Sequence, residues 1–213
     1  MSKFKLNRRL VISELLKERE NSLIVNGLGG TCWDVASLGD NDLNFYVWGG
    51  MGNACMIGLG LALSQPDKKV IVITGDGEML MGIGSLATIA LKQPKNLSIV
   101  VFDNELYGET GNQKTHTAYC TNLSKIAIGS GIINSSIILT QEDLLSLSSE
   151  IHQIKNLSFS VIKINQDQEE IVLPIREGAF IKSRFRRALL CLLYTSDAAD
   201  EGLGVDLGGR RII

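Results

Sequence analysis

The fold can be inferred from one stretch of the sequence, residues 70–112, which reads VIVITGDGEMLMGIGSLATIALKQPKNLSIVVFDNELYGETGN. It contains two runs of β-branched and other apolar residues, 70–74 and 97–102, without regular alternation of polar and apolar positions. Such runs are typical of central parallel strands that are covered on both faces. Between them an apolar segment of helical length, residues 79–91, ends before Pro94. The stretch therefore predicts a β-α-β unit of a parallel sheet.

Each of the two predicted strands ends in residues that suit a metal ion. Gly75-Asp76-Gly77 follows the first strand, and Asp103-Asn104 follows the second. In a parallel sheet the carboxyl ends lie on one edge, where open α/β sheets bind ligands. A carboxylate and an amide oxygen are ligands for Mg²⁺ or Ca²⁺ that also binds a phosphate. A helix that begins after Gly77 would direct backbone N–H groups at that phosphate.

The flanking sequence predicts more elements of the same sheet. Further strands are expected at residues 23–26, 44–48, 137–139 and 157–164, and helices at 7–20, 31–37, 53–64, 122–128, 141–154 and 181–190. We expect Thr31 to cap the second helix. The glycines at 27–30 fit either a phosphate loop or a tight turn between strand and helix. The pattern predicts a single-domain α/β protein with a doubly wound, mostly parallel sheet of about six strands flanked by helices.

Composition limits the class of protein. A chain of 213 residues with 45% hydrophobic residues can bury one α/β core but not two large domains. The net charge of −2 argues against nucleic acid as a partner. No apolar run is long enough to span a membrane, and residues 1–20 do not resemble a signal peptide. The four cysteines form no CxxC motif, which favours a cytoplasmic protein without an iron–sulfur cluster.

The final residues differ in character from the rest. Composition and pattern change at Cys191, and residues 191–213, CLLYTSDAADEGLGVDLGGRRII, have no clean periodicity. This segment resembles the translation of a sequencing adapter. We therefore predict that residues 1–190 form the domain and that 191–213 are an artefactual tail, disordered or incidentally helical.

A second motif competes with the first interpretation. Gly82-Ile83-Gly84-Ser85-Leu86-Ala87 fits the G-x-G-x-x-A fingerprint of dinucleotide-binding proteins. It lies inside the predicted helix, whereas the fingerprint belongs in the turn directly after a strand. The small residues are better explained by close helix packing, and an NAD-dependent oxidoreductase is the weaker alternative.

Longer motifs point to one family. Gly75-Asp76-Gly77 is followed 28 residues after its Asp by Asn104. Together with WGGMGNACMIGLGLALSQPDKKVIVITGDG at 48–77 and NELYGETGNQKTHT at 104–117, it resembles the thiamine-diphosphate-dependent 2-oxo acid decarboxylases. Within that family the likeness is to sulfopyruvate decarboxylase β subunits, with phosphonopyruvate decarboxylases a close second, and it covers about residues 7–190.

The resemblance implies thiamine diphosphate and Mg²⁺ as cofactors. Asp76, Asn104 and the backbone carbonyl of Leu106 correspond to the metal ligands. The other residues that the resemblance places at the cofactor are Gly49, Gly50, Met51, Gly75, Gly77, Glu78, Met79, Tyr107 and Gly108. Glu78 departs from the many relatives with Ser or Ala there, and its carboxylate would repel a diphosphate unless it is turned away or satisfied by the metal. We expect Asp103 to brace the turn.

Three residues are candidates for the chemistry. In the resembled family the Gly49 carbonyl accepts a hydrogen bond from the aminopyrimidine, and Met51 wedges between the two cofactor rings so that proton removal becomes intramolecular. The alternative for Met51 is that it fills the core. Lys114 and His116 are expected either to bind a doubly anionic substrate or to serve a structural or subunit contact.

The resemblance also implies a partner. Enzymes of this family need a carboxylate on the cofactor's pyrimidine from a separate pyrimidine-binding domain, which this length does not accommodate. We therefore expect an α subunit to supply it, in a hetero-oligomer that decarboxylates a small anionic 2-oxo acid such as 3-sulfopyruvate. The alternatives are half of a phosphonopyruvate decarboxylase or of a carboligase, and a thiamine-diphosphate-binding scaffold subunit without catalysis.

Overall fold

Eight strands form two sheets in the computed structural model, which describes residues 4–196. They are β1 (Leu23–Asn26), β2 (Asn44–Tyr46), β3 (Val70–Gly75), β4 (Leu97–Asp103), β5 (Leu106–Tyr107), β6 (Gln113–Lys114), β7 (Ser135–Ile138) and β8 (Ser158–Lys163). The main sheet has six strands in the order β2-β1-β3-β4-β8-β7, and all its neighbours are parallel. The antiparallel pair β5–β6 forms a hairpin after β4. The predicted fold class is confirmed.

Helices cover both faces of the sheet. They are α1 (Arg8–Leu16), α2 (Gly30–Ala36), α3 (Ala54–Ser64), α4 (Asp76–Met81), α5 (Ser85–Lys92), α6 (Leu123–Ser130), α7 (Gln141–Glu150) and α8 (Gly178–Ser196). Alternate strand residues enter two separate cores: Ile99 and Val101 pack with α3, α5 and α6, whereas Val100 and Phe102 pack with α1, α2 and α7. This alternation explains why the central strands are apolar on both sides.

Strand order fixes the position of the site. The chain passes from β1 to β2 in one direction and then crosses β1 to begin β3 on its other side. The strand order therefore reverses between β1 and β3, and the carboxyl ends of these two strands border a crevice at the switch point. The turns that begin at Gly27 and Asp76 both lie at this crevice.

The predicted central helix is two helices. Instead of one segment over 79–91, α4 ends at Met81 and α5 begins at Ser85. The break follows from a close approach of two backbones, since a Cβ on Gly82 would lie 2.2 Å from the carbonyl oxygen of Gly52. Gly82 of the competing dinucleotide motif therefore allows two turns to pack closely. The motif lies between two helices and not directly after a strand, as a dinucleotide-binding turn would.

Several predicted boundaries shift. The expected cap Thr31 lies inside α2 and donates to the Gly27 carbonyl at 3.1 Å, so α2 begins one residue earlier. Helix α6 extends to Ser130, two residues past the predicted end at residue 128, and Gly131 caps it with a φ of +106°. Helix α8 extends past the predicted domain end to Ser196, and residues 197–213 of the predicted tail lie outside the described residues. Within residues 4–196, no helix has both the length and the apolar character that crossing a bilayer requires.

Candidate functional site

A cavity of about 410 Å³ opens at the carboxyl edge of the sheet, beside the switch point. Its walls are the turns after β1, β3 and β4, the start of α1 and residues 166–169. Nine residues predicted for the site lie on these walls: Met51, Gly75, Asp76, Gly77, Glu78, Asn104, Leu106, Tyr107 and Gly108. The structure therefore brings the two motif-bearing turns to one place, as the parallel sheet predicts.

Asp76 is the buried centre of this edge. It is 2% exposed, and its Oδ2 accepts hydrogen bonds from Thr115 Oγ1 at 2.6 Å and Thr117 Oγ1 at 3.1 Å. Burial, and then the neighbouring charge of Asp103, raise the pKa of Asp76 to about 7, although the two hydroxyls oppose the shift. Among the described residues no Lys, Arg or His forms an ion pair with Asp76. A bound cation would stabilise the ionised form of a carboxylate that is buried without an ion pair.

Asp103, in contrast, contacts a cationic side chain, Lys163, which it shares with Glu105. Its Oδ2 lies 2.7 Å from Lys163 Nζ, and its Oδ1 accepts from Thr117 Oγ1 at 2.8 Å and from the Glu105 N–H at 3.1 Å. The predicted bracing role of Asp103 is confirmed. Thr117 connects the two carboxylates, because the same hydroxyl contacts both Asp76 and Asp103.

A tight turn after β4 presents Asn104 and Leu106 to the cavity. Asn104 Oδ1 accepts from the Leu106 N–H at 3.0 Å, while Glu105 adopts a left-handed φ of +64°. The turn packs directly on the glycine after Asp76: a Cβ on Gly77 would lie 2.6 Å from the ring of Tyr107. Gly77 is therefore required for the two turns to meet.

The loop KTHT alternates between the cavity side and solvent. Thr115 and Thr117 are buried against Asp76, whereas Lys114 and His116 are exposed and do not line the cavity. Lys114 Nζ instead lies 5.9 Å from the centre of the Tyr119 ring. Sequence reasoning selected the charged pair and missed the two threonines. Strand alternation does not explain the pattern, because both residues of the strand Gln113–Lys114 are exposed and residues His116–Ala118 form a 3-10 helix.

Three more predicted cofactor residues lie off the cavity wall. The side chain of Met79 is 1% exposed in the core, with its sulfur 3.7 Å from Cys55 Sγ, which contradicts a side-chain contact to a ligand. Gly49 and Gly50 belong to the turn that carries Met51 to the wall. Positive φ angles of +69° at Gly49 and +84° at Gly52 shape that turn.

Glu78 lies at the cavity wall, but its carboxylate contacts the protein. Its Oε2 accepts from Thr74 Oγ1 at 2.8 Å, and a Cβ on Gly27 would lie 1.5 Å from the same oxygen. Burial raises the pKa of Glu78, whereas Thr74 and nearby backbone N–H groups oppose the shift. The carboxylate is thus turned toward the protein, which was one of the two conditions under which it would tolerate a diphosphate.

An arginine pair that sequence reasoning missed forms another wall. Arg8 Nε lies 2.8 Å from Asp34 Oδ2, and Arg9 Nε lies 3.1 Å from Asp34 Oδ1. Asp34 is 1% exposed, and burial raises its pKa even though both guanidinium groups lower it. The contact holds α1 against α2 beside Gly30. Residues 26 positions apart carry no local pattern that would reveal this pair.

The residues fit a divalent cation bound to a diphosphate. Asp76 is buried without a cationic partner, Asn104 adds an amide oxygen, and the turn after β3 is formed by small residues. The described residues contain no group of three or more His, Cys, Asp or Glu side chains that could hold a metal. A cation here must therefore use amide, carbonyl and ligand oxygens, which Mg²⁺ accepts.

Comparison with known proteins supports the same kind of site. Residues 33–138 match the family described as thiamine pyrophosphate enzyme, C-terminal TPP binding domain. The chain is 40% identical over 176 residues to the sulfopyruvate decarboxylase subunit beta of Methanocaldococcus jannaschii, which covers 80% of this chain and 89% of that protein. It is 37% identical over 152 residues to the sulfopyruvate decarboxylase of Methanosarcina acetivorans, covering 71% of this chain and 39% of that protein.

Among solved structures the chain resembles a "putative thiamin diphosphate-dependent enzyme" isolated from Mycobacterium smegmatis. The TM-score is 0.64 at 20% identity, over 75% of this chain and 32% of that one. At this identity the likeness concerns the fold alone. It agrees with the parallel sheet flanked by helices.

Proposed function

This chain belongs to the family of sulfopyruvate decarboxylase β subunits among the thiamine pyrophosphate enzymes, and from that premise we propose that it is the cofactor-binding subunit of a decarboxylase for a small anionic 2-oxo acid. The observation that carries the proposal is Asp76, a buried carboxylate that pairs with no cationic side chain in the described part of the chain and that lines the same cavity as Asn104. Mg²⁺ with thiamine diphosphate matches the charge and the oxygen donors of that cavity.

Each residue around Asp76 has a defined task in this proposal. Asp76, Asn104 and the Leu106 carbonyl would hold Mg²⁺. Thr115 and Thr117 orient the Asp76 carboxylate. Lys163 pairs with both Asp103 and Glu105, so Asp103 has a cationic partner, whereas Asp76 has none among the described residues. The bound cofactor would supply the electron sink for loss of CO₂, and this chain would supply position and electrostatics.

Met51 and the exposed pair Lys114 and His116 have tasks that depend on the assembled enzyme. Met51 is half-buried on the cavity wall, which supports its role as the wedge beneath the cofactor rings. Lys114 and His116 lie on the hairpin beside the cavity and face solvent. We propose that they contact the substrate or a partner subunit at the rim.

A pyrimidine-binding α subunit completes the proposed active site. The sulfopyruvate decarboxylase of Methanosarcina acetivorans is a much longer chain, of which the present one matches 39%. The relative in Methanocaldococcus jannaschii, which this chain matches over 89% of its length, is named as a subunit. Both facts support an active site that needs more protein than this chain provides.

A reconstitution experiment tests the proposal. The full chain is mixed with a candidate α subunit, thiamine diphosphate and Mg²⁺, and CO₂ release is measured from 3-sulfopyruvate, 3-phosphonopyruvate and pyruvate. We expect CO₂ from 3-sulfopyruvate only when both subunits are present. A preference for phosphonopyruvate would reassign the substrate, and products with new carbon–carbon bonds would indicate a carboligase. No CO₂ above that of either chain alone would contradict the proposal.

The exposed positions of Lys114 and His116 favour one competing function. A scaffold subunit would bind the cofactor without catalytic side chains of its own, and this cavity lacks both residues. Asp76→Ala separates the two functions. Loss of turnover with intact subunit assembly supports the decarboxylase, whereas turnover that survives the substitution supports the scaffold.

A further inference from the structure

The walls of the cavity carry more acidic than basic side chains. The acidic ones are Asp34, Asp76, Glu78, Glu109, Asp167 and Glu169. Arg8 and Arg9 are the only Lys, Arg or His side chains on these walls within the described part of the chain. Most of this surface would repel a ligand with several negative charges. An anionic group that does not bind a metal ion is therefore most stable beside the two arginines.

Arg8 is held in place by contacts that leave part of its guanidinium group available. Its Nε lies 3.0 and 2.8 Å from the two carboxylate oxygens of Asp34, and its Nη2 lies 2.8 Å from Asp34 Oδ2. The third nitrogen, Nη1, takes no part in these contacts. The group lies against Gly30, where a Cβ would be 1.9 Å from Nη2 and 2.7 Å from Nη1. Since Arg8 is half-buried on the cavity wall, a ligand there can reach the Nη1 edge.

Arg9 adds a second guanidinium group to the same carboxylate. Its Nε lies 3.1 Å from Asp34 Oδ1, and its Nη2 donates to the carbonyl of Glu170. Asp34 is 1% exposed, so it is an anchor and not a group that a ligand would meet. Two guanidinium groups share this one carboxylate, which leaves a positive charge in excess. Glu169 lies on the same wall, but its carboxylate accepts a hydrogen bond from Asn7 Nδ2.

We propose that Arg8 and Arg9 form an oxyanion-binding site in this cavity, with Asp34 as the buried carboxylate that holds them, and this proposal rests on the proposed function. Guanidinium groups stay charged and bind phosphate, sulfonate or carboxylate oxygens through paired N–H donors. In the proposed enzyme the oxyanion belongs to the diphosphate of the cofactor or to the anionic 2-oxo acid. Lys114 and His116 do not line the cavity and leave this task to the arginines.

A purely structural link between α1 and α2 predicts a different response to substitution. Arg8→Gln alone leaves the buried Asp34 with one charged partner fewer. Combined with Asp34→Asn, it removes both charges of that contact and leaves two neutral side chains that can form a hydrogen bond. A structural link should recover in the double variant. An oxyanion site should not, because the lost donor faces the ligand.

Inorganic pyrophosphate in the presence of a chelator tests the site without Mg²⁺ or the coenzyme. We expect the full chain to bind it at millimolar concentration or below, and at least tenfold more weakly in Arg8→Gln, in Arg9→Gln and in the double variant with Asp34→Asn. Arg19→Gln is the matched control and should bind within twofold of the unsubstituted chain. Arg19 is also half-buried, but it lies off the cavity and donates to Asn44 Oδ1 at 2.6 Å.

Three results of this titration would overturn the proposal. They are no metal-free binding to the unsubstituted chain, an equal loss in Arg19→Gln, and recovery of binding in the double variant. The first of these holds whether or not any variant folds. Asp76→Asn should retain the metal-free binding, because it removes a negative charge from the cavity. Loss of that binding in Asp76→Asn would also contradict a separate arginine site.

The assembled enzyme shows which oxyanion the arginines bind. In Arg8→Gln, an at least tenfold weaker affinity for thiamine diphosphate with Mg²⁺ would assign the site to the diphosphate. Unchanged cofactor affinity, with an at least tenfold lower kcat/KM for 3-sulfopyruvate relative to pyruvate, would assign it to the substrate. Neither change would overturn the proposal. An unsubstituted enzyme without turnover would contradict the proposed function, whereas the metal-free titration would still decide whether the arginines bind an oxyanion.

Discussion

Each edge of the sheet buries a polar side chain, but the two side chains differ in how their hydrogen-bonding and charge are satisfied. At the amino edge Asn96 is 4% exposed, and its Nδ2 lies within 3.0 Å of the carbonyl oxygens of Ala62, Gln65 and Lys68. A neutral amide thus collects the carbonyls that end α3 and begin β3. At the carboxyl edge Asp76 is 2% exposed, but it is an ionisable carboxyl group with its pKa raised to about 7 by burial and Asp103, and no cationic side chain among the described residues pairs with it.

The difference separates a structural network from a binding site. Satisfied neutral groups stabilise a fold and need nothing more. A buried charge that lacks a counterion is destabilising unless a ligand compensates it. The buried Asp76 carboxylate should therefore lower the stability of the chain without cofactor and raise its affinity for a divalent cation. Substitutions at the two edges should therefore have opposite effects on binding and on stability.

Asp76→Asn should have the largest effect, and in opposite directions on binding and stability. We expect at least a 100-fold loss of magnesium-dependent affinity for thiamine diphosphate, because the carboxylate proposed to bind the cation disappears. The empty chain should become more stable by about 1–3 kcal/mol, since a buried charge beside Asp103 is removed. Calorimetric titration and denaturant unfolding measure the two quantities. Normal affinity for the cofactor, or a lower stability than that of the unsubstituted chain, would contradict the proposed role of Asp76 as a cation ligand.

Asn96→Ala should show the reverse pattern at the other edge. Three buried or partly buried carbonyls lose their donor, and we expect the free energy of unfolding to fall by about 2–3 kcal/mol. Affinity for the cofactor should remain within twofold of the unsubstituted chain. Denaturant unfolding with and without ligand provides the measurement. A large loss of affinity at unchanged stability would mean that the two edges are coupled.

Thr115→Val should weaken the cation site without removing it. The substitution deletes the 2.6 Å hydrogen bond to Asp76 while it retains the shape of the side chain. We expect Mg²⁺-dependent affinity to fall about tenfold, the equivalent of one charge-assisted hydrogen bond. Thr115→Ser keeps the hydroxyl and should restore most of the affinity. Equal behaviour of the two variants would show that the hydroxyl does not orient Asp76.

His116→Ala and Lys114→Ala should have the smallest effect on the isolated chain. Both side chains are exposed, so stability and cofactor affinity should stay within about twofold and 0.5 kcal/mol of the unsubstituted chain. Any larger effect should emerge only in turnover with the partner subunit. A loss of cofactor affinity in the isolated chain would place these residues inside the site, in disagreement with their position here.

Much of this site could be predicted from the sequence, because each strand and the polar residues at its carboxyl end are adjacent along the chain. The apolar runs of β3 and β4 and the polar residues after them predict one sheet edge and hence one site, and the structure brings Asp76 and Asn104 to the same cavity. The bracing role of Asp103 was predictable for the same reason. The division of the central helix was not, because it depends on contact between Gly82 and the distant Gly52.

The residues that sequence analysis missed act across larger separations. Lys163 pairs with Asp103 from the neighbouring strand β8, 60 positions along the chain. The burial of Thr115 and Thr117 depends on how the hairpin folds back toward β3. The sequence interpretation assigned chemistry to Lys114 and His116, whereas Thr115 and Thr117 face inward because the chain turns into a 3-10 helix after β6.

The most direct test of the account is the position of the metal. A crystal of the full chain grown with thiamine diphosphate and Mn²⁺ in place of Mg²⁺ would locate the ion by its anomalous signal. We predict one peak within about 2.0–2.3 Å of an Asp76 carboxylate oxygen and of the Asn104 amide oxygen, with the diphosphate completing its shell. A peak elsewhere in the cavity, with Asp76 still held only by Thr115 and Thr117, would contradict the claim that the uncompensated carboxylate is the cation site.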